Sequence, residues 1–179
     1  MLMQVLKQQI KRTVIISLMC GLSACGFSLR GDFSLPVSIQ NVQLSNTGLN
    51  VALKRTLEKR LKRFKLNLLD ADTASTPADM HITLLPDELD RRLLSLFSTG
   101  QVAEYELVYT VTYLIQFAGH ASQNVSFTIT REYQDDPDAV LAKSRELDLV
   151  LGEMRQQAAD RIIRQISSHY ANLASIPTL

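Results

Sequence analysis

Seven apolar or aromatic residues, Tyr105, Leu107, Tyr109, Val111, Tyr113, Ile115 and Phe117, occupy consecutive odd positions. A period of two belongs to an extended strand with one buried face. After a turn at Ala118-Gly119-His120, Val125, Phe127, Ile129 and Tyr133 repeat the period, with Ser126, Thr128 and Thr130 between them. The two segments predict a long antiparallel hairpin whose other face carries Thr, Ser, Glu and Gln. Upstream, Met80, Ile82 and Leu84 alternate with His81 and Thr83 and predict a shorter strand. Pro86 and Asp87 interrupt it, and extended structure can resume over Leu89–Phe97 before a turn at Ser98-Thr99-Gly100. Val37, Ile39, Val42 and Leu44 predict a first strand whose phase shifts near Gln40-Asn41.

Two stretches carry the helical period instead. Leu49, Leu53, Leu57, Leu61 and Phe64 form one stripe, preceded by turn and N-cap chemistry at Ser45-Asn46-Thr47-Gly48. The opposite side holds Lys54, Arg55, Lys59, Lys62 and Arg63, with Glu58 as the lone acid. Such a basic face meets phosphate-bearing lipid, an acidic partner, or only water. Asp70–Asp79 is polar, contains Pro77 and reads as a loop. Leu147, Leu151, Met154, Ala158, Ile162, Ile166 and Tyr170 recur at spacings of four and three, predicting a helix from about Ala139 to Ala171. Asp136 is its candidate N-cap, with Pro137 at the first helical position. The order β-α-β-β-β-α predicts one α+β domain over 37–172, a four-stranded mixed sheet with two helices packed on one face. Residues 173–179 fray from its end.

The first 24 residues follow neither period. Lys7, Lys11 and Arg12 precede an apolar run, Val14 to Leu22, which Ser23 and Ala24 close. A basic region, a short apolar region and a small-residue exit make a secretory signal peptide. Nine apolar residues at about 1.5 Å rise reach roughly half of a 30 Å hydrocarbon core, so the run is too short to span it. The exit Leu22-Ser23-Ala24-Cys25 is similar to the lipobox of bacterial lipoproteins, in which the cysteine is lipidated and becomes the first residue. Residues 25–36 then form a tether from the lipid to the domain. Gly26, rather than Asp, after the cysteine points to the outer membrane.

Composition changes meaning once that leader is set aside. The 179 residues carry 19 Lys and Arg against 18 Asp and Glu, a formal charge of +1. Three of the basic residues lie in the leader, so the remaining 155 carry 16 against 18, a formal charge of −2. That balance excludes a strongly basic nucleic-acid binder. The two cysteines, Cys20 and Cys25, make no disulfide framework, and Cys20 leaves with the leader.

Catalytic chemistry has little to stand on. His81, His120 and His169 fall on separate elements, and no nucleophile elbow, phosphate-cradling glycine loop or zinc-protease motif occurs. Asp135, Asp136 and Asp138 are accounted for by a helix start, which favours acids. No enzyme activity, metal or cofactor is expected. Arg131, Lys143 and Arg145 gather around the predicted sheet-to-helix junction and suit lipid phosphates. Local pairing with Glu132 and Glu146 accounts for them equally well.

Three stretches in order complete the picture: Cys25-Gly26-Phe27-Ser28-Leu29-Arg30-Gly31, then Gly100-Gln101-Val102-Ala103-Glu104-Tyr105, then Ala142-Lys143 followed by Glu146, Met154 and Ala158-Ala159. Together they resemble the LPS-assembly lipoprotein family (LptE, also called RlpB), over roughly Cys25 to Ser168. The resemblance implies a plug inside the lumen of an outer-membrane β-barrel, LptD. It also implies delivery of lipopolysaccharide to the outer leaflet, help in folding the barrel, and lipopolysaccharide binding through basic residues. Lys143 is the position carried over, because it lies in a matching motif. Ser98 stands where some members have a basic residue, which leaves a two-cation clamp without its second member. Two other classes fit the bare pattern: a stand-alone lipid-carrying lipoprotein, and a structural lipoprotein tethering another envelope component.

Overall fold

The computed structural model describes residues 38–48, 51–69 and 77–174, and Gln9. Residues 1–32 and 33–179 are separate compact units, and apart from Gln9 every described residue belongs to the second. The expected leader, Cys25 and the tether over 25–36 lie outside the described residues, as do 175–179. Among the described residues no helix is long and apolar enough to cross a membrane.

The elements are β1 (Asn41–Asn46), α1 (Ala52–Arg63), β2 (Asn67–Leu69), β3 (Met80–Leu84), β4 (Glu88–Leu96), β5 (Val102–Phe117), β6 (Gln123–Gln134) and α2 (Val140–Ala174). The fold class is α+β as expected, but the mixed sheet has six strands rather than four. β2, parallel to β1, is three residues long and too short to show a period. β4 hides its strand character behind the adjacent pairs Arg91-Arg92 and Leu93-Leu94. The adjacency is real, since its register shifts between Leu93 and Ser95 and again between Ser95 and Leu96.

The 16-residue β5 is the spine, about 50 Å long at 3.3 Å per residue. β6 runs antiparallel along one edge from Glu104↔Gln134 to Ile115↔Gln123. β3 and β4 share the other edge end to end, β3 against Tyr113–Phe117 and β4 against Val102–Thr110. Pro86, which has no N–H to donate, falls in the break between them. At the β3 end the sheet continues through β1, parallel to β3, to β2. Gly100 (φ 84°) and Gly119 (φ 76°) supply the left-handed turns of the two hairpins.

Both helices lie on the odd face of β5. Leu53, Leu57 and Leu61 of α1 and Met154, Ala158, Ile162 and Ile166 of α2 are at most 2% exposed, packed with Leu107, Tyr109, Val111, Tyr113 and Ile115. The sequence pattern misplaces both helix N-caps. Asn46 closes a turn on itself, its side chain accepting from Gly48 N–H and donating to Gly48 C=O, while α1 begins at Ala52 with no side-chain cap. Asp136 likewise caps a turn: its side chain takes the Asp138 N–H and its carbonyl the Ala139 N–H, with Pro137 inside. α2 starts three residues after Pro137, at Val140, and runs on to Ala174.

Candidate functional site

Among the described residues, no helix packs on the other face of the sheet. Thr110 and Thr112 of β5 are half-buried, and Gln116 with Asn124, Ser126, Thr128 and Thr130 of β6 is exposed. The hydroxyls of Thr112 and Ser126 bond across the strands at 2.9 Å, and Ser45 donates to Thr83 at 2.9 Å on the neighbouring pair. Val108 is the buried apolar exception, 6% exposed. The face is therefore ordered and polar, made of short side chains that hold one another. A face of this kind meets water or the polar wall of another protein.

Side chains of α2 fasten the outer edge of β6. Arg161 donates to the Thr128 carbonyl at 3.2 Å and stacks over the Phe127 ring at 4.6 Å. Arg131, on the helix-side face of β6, donates to Gln157 Oε1 at 3.0 Å. Lys143 stands elsewhere. Its Nζ is 2.9 Å from Glu146 and 5.4 Å from the Tyr133 ring centre, while the Tyr133 hydroxyl donates to its carbonyl at 2.6 Å. The Glu146 carboxylate holds the Lys143 ammonium above its usual range, so it is charged at any physiological pH. Arg145 is exposed on the next stretch of the helix.

The three cations thus do not form one cluster. Gln157, which holds Arg131, lies 14 residues along α2 from Lys143, about 21 Å at 1.5 Å rise. Arg91, which the pattern left unmarked, lies on the same face of the sheet, one row from Tyr133. Arg91, Leu107 and Arg131 form one row across β4, β5 and β6, and the next row is Leu93, Tyr105 and Tyr133. Arg91 lies near enough to the Tyr133 phenol to favour its ionised form, as Lys143 does, although burial sets the net direction upward. Only strand register reveals that neighbour.

Beyond this basic corner the β4–β5 hairpin exposes apolar side chains: Leu93 is 55% exposed, Leu94 50%, Leu96 53% and Phe97 44%. An exposed apolar group beside fixed cations matches an amphiphile with charged head and hydrocarbon body. On the far side of the row, Tyr109 donates to Asp87 at 2.5 Å, and burial together with that bond pushes its phenol up. Among the described residues, no group of three or more His, Cys, Asp or Glu is placed to hold a metal ion.

Comparison with known proteins converges on one family. The family model described as "LptE: Lipopolysaccharide-assembly" matches residues 36–166. The LPS-assembly lipoprotein LptE of Pectobacterium atrosepticum is 30% identical over 155 residues, 86% of this chain and 83% of that relative. The crystal structure of rare lipoprotein B from Shewanella oneidensis superposes with a TM-score of 0.64 at 40% identity, covering 74% of this chain and 98% of that one. The solution structure of a lipoprotein B from Nitrosomonas europaea gives a TM-score of 0.64 at 25% identity, over 82% and 93% of the two chains.

Proposed function

Because the chain belongs to the LptE lipopolysaccharide-assembly family, we propose that it is an outer-membrane lipoprotein acylated at Cys25 that plugs the LptD β-barrel. In that place it helps the barrel assemble and binds lipopolysaccharide on its way to the outer leaflet. The observation that carries the reading is the asymmetry of the sheet. One face is sealed by α1 and α2, and the other, among the described residues, is mostly polar and suited to the polar lumen of a barrel. The basic corner of Lys143 and Arg91 meets lipid phosphates, and the exposed leucines and Phe97 lie against acyl chain. Arg131 and Arg145 flank that corner without joining it.

The test is affinity purification of the acylated protein from detergent-solubilised envelopes. A large β-barrel recovered in one-to-one ratio is the expected outcome, and a mature chain beginning at acylated Cys25 accompanies it. Recovery of the lipoprotein without a barrel overturns the plug and favours a stand-alone lipid carrier.

A further inference from the structure

The basic face of α1 plays no part in that function, and its position in the fold is informative. α1 runs antiparallel to β1, so its C-terminal half returns to the end of the sheet where the described domain begins at Ser38. The Asn67 N–H donates to the Gln40 carbonyl at 2.8 Å, and the Asn67 side chain bonds Asn41 at 3.2 Å. Lys65 is thus two residues from a strand hydrogen-bonded to the chain entrance. Cys25 precedes Ser38 by 13 residues, a segment reaching at most about 45 Å fully extended.

Within this end, Thr56, Lys59, Arg60 and Arg63 of α1 and Gln156 of α2 line a groove of about 220 Å³. Arg60 is bound to Asp160 at 3.1 Å, and Lys54 pairs with Glu58 at 3.6 Å. Lys59, Lys62 and Arg63 are exposed and have no acidic partner among the described residues. Beside them, Phe64 is 36% exposed at the helix end. Complementing the helix dipole explains a cation or two in the last turn. It does not explain an unpaired set around a groove, or a partly exposed aromatic ring next to it. Cations flanking an exposed aromatic on one amphipathic helix are the chemistry of a membrane-surface contact.

We propose that the C-terminal half of α1, with the groove around Lys59 and Arg63, is a membrane-surface site that takes the phosphate of an anionic glycerophospholipid headgroup. It rests on the reading that Cys25 is acylated, which holds the domain within one tether length of a bilayer. The site would fix which end of the domain faces the leaflet before and during capture by the barrel.

The acylated protein in vesicles tests this by amine-reactive labelling of its lysines, read by mass spectrometry. In vesicles containing phosphatidylglycerol, Lys59 and Lys62 are expected to label about fivefold more slowly than in pure phosphatidylcholine. Lys143, at the other end of the domain, is expected to label equally in both. Arg63→Gln, an exposed substitution, is expected to reduce the protection at Lys59. Equal labelling of Lys59 in the two vesicle types overturns the proposal. So does the same protection by inorganic phosphate over phosphatidylcholine, which would mark an ion site and not a lipid surface. Flotation in 1 M salt reports acylation separately, since an acyl anchor survives salt that screens the cations. Loss of flotation overturns the anchored reading on which the site depends.

Discussion

Lys143 shows how a single side chain can be both packed and available. Its ammonium lies over the Tyr133 ring and meets Glu146, and the side chain is 20% exposed. A lipid phosphate would compete for that ammonium with one carboxylate, itself half in water, and exposed pairs of this kind are weak. Lys143→Glu is expected to weaken lipopolysaccharide binding by about tenfold or more, measured on purified protein by displacement of a fluorescent lipopolysaccharide. Circular dichroism on the same sample should show unchanged secondary structure. Unaltered affinity with an intact fold removes Lys143 from the site. The role proposed for Lys143 comes from its motif in the sequence, whereas nothing in the sequence marked Arg91. Arg91 becomes a neighbour of Tyr133 through β4–β5–β6 register, which no local pattern encodes.

At the scale of elements, Asp79 ties the entrance of the domain together. Its carboxylate accepts the N–H groups of Asn41 and Gln40 at 2.8 and 3.0 Å, and its own carbonyl accepts the Ala118 N–H. It thereby joins β1, β3 and the end of β5. Those two donors hold its carboxyl below the usual 3.8. A depressed folded value means that the carboxylate stabilises the fold above pH 3.8 and loses that contribution as the pH falls through the depressed value. Asp79→Asn should therefore lower the urea midpoint at neutral pH, with the gap to the unsubstituted protein closing below about pH 3.8. A gap that stays constant with pH would show that the carboxylate charge is not what matters. The strands and helices themselves were largely legible, because each buries one face over several periods. What escaped were features without a period: three-residue β2, the bulge and separate pairing of β4, whose extended run alone was legible, and the helix N-caps. Asn46 and Asp136 carry cap chemistry but use it on turns.

Among the described residues, the second unit is a sheet with one face sealed by α1 and α2 and no helix on the other. If the naked face meets a barrel wall, bulk placed on it should break the complex without unfolding the domain. Thr128 is exposed on that face, and Thr128→Trp is expected to abolish recovery of the barrel in the affinity purification while thermal melting stays within a few degrees. Retained one-to-one recovery would place the contact elsewhere. From sequence alone came the family motifs and the hydrophobic period of β5, β6 and both helices, together with the expectation of a leader and lipobox. These are local properties, set by chain chemistry or by the spacing of side chains along one element. Tertiary structure alone decided that β3 and β4 share one edge of β5 and that Arg91 stands one row from Tyr133 while Arg131 turns to Gln157. It also decided that the basic end of α1 returns beside the chain entrance. Each depends on which strand lies next to which and in what register, a choice made by burying many faces together and not by any segment on its own.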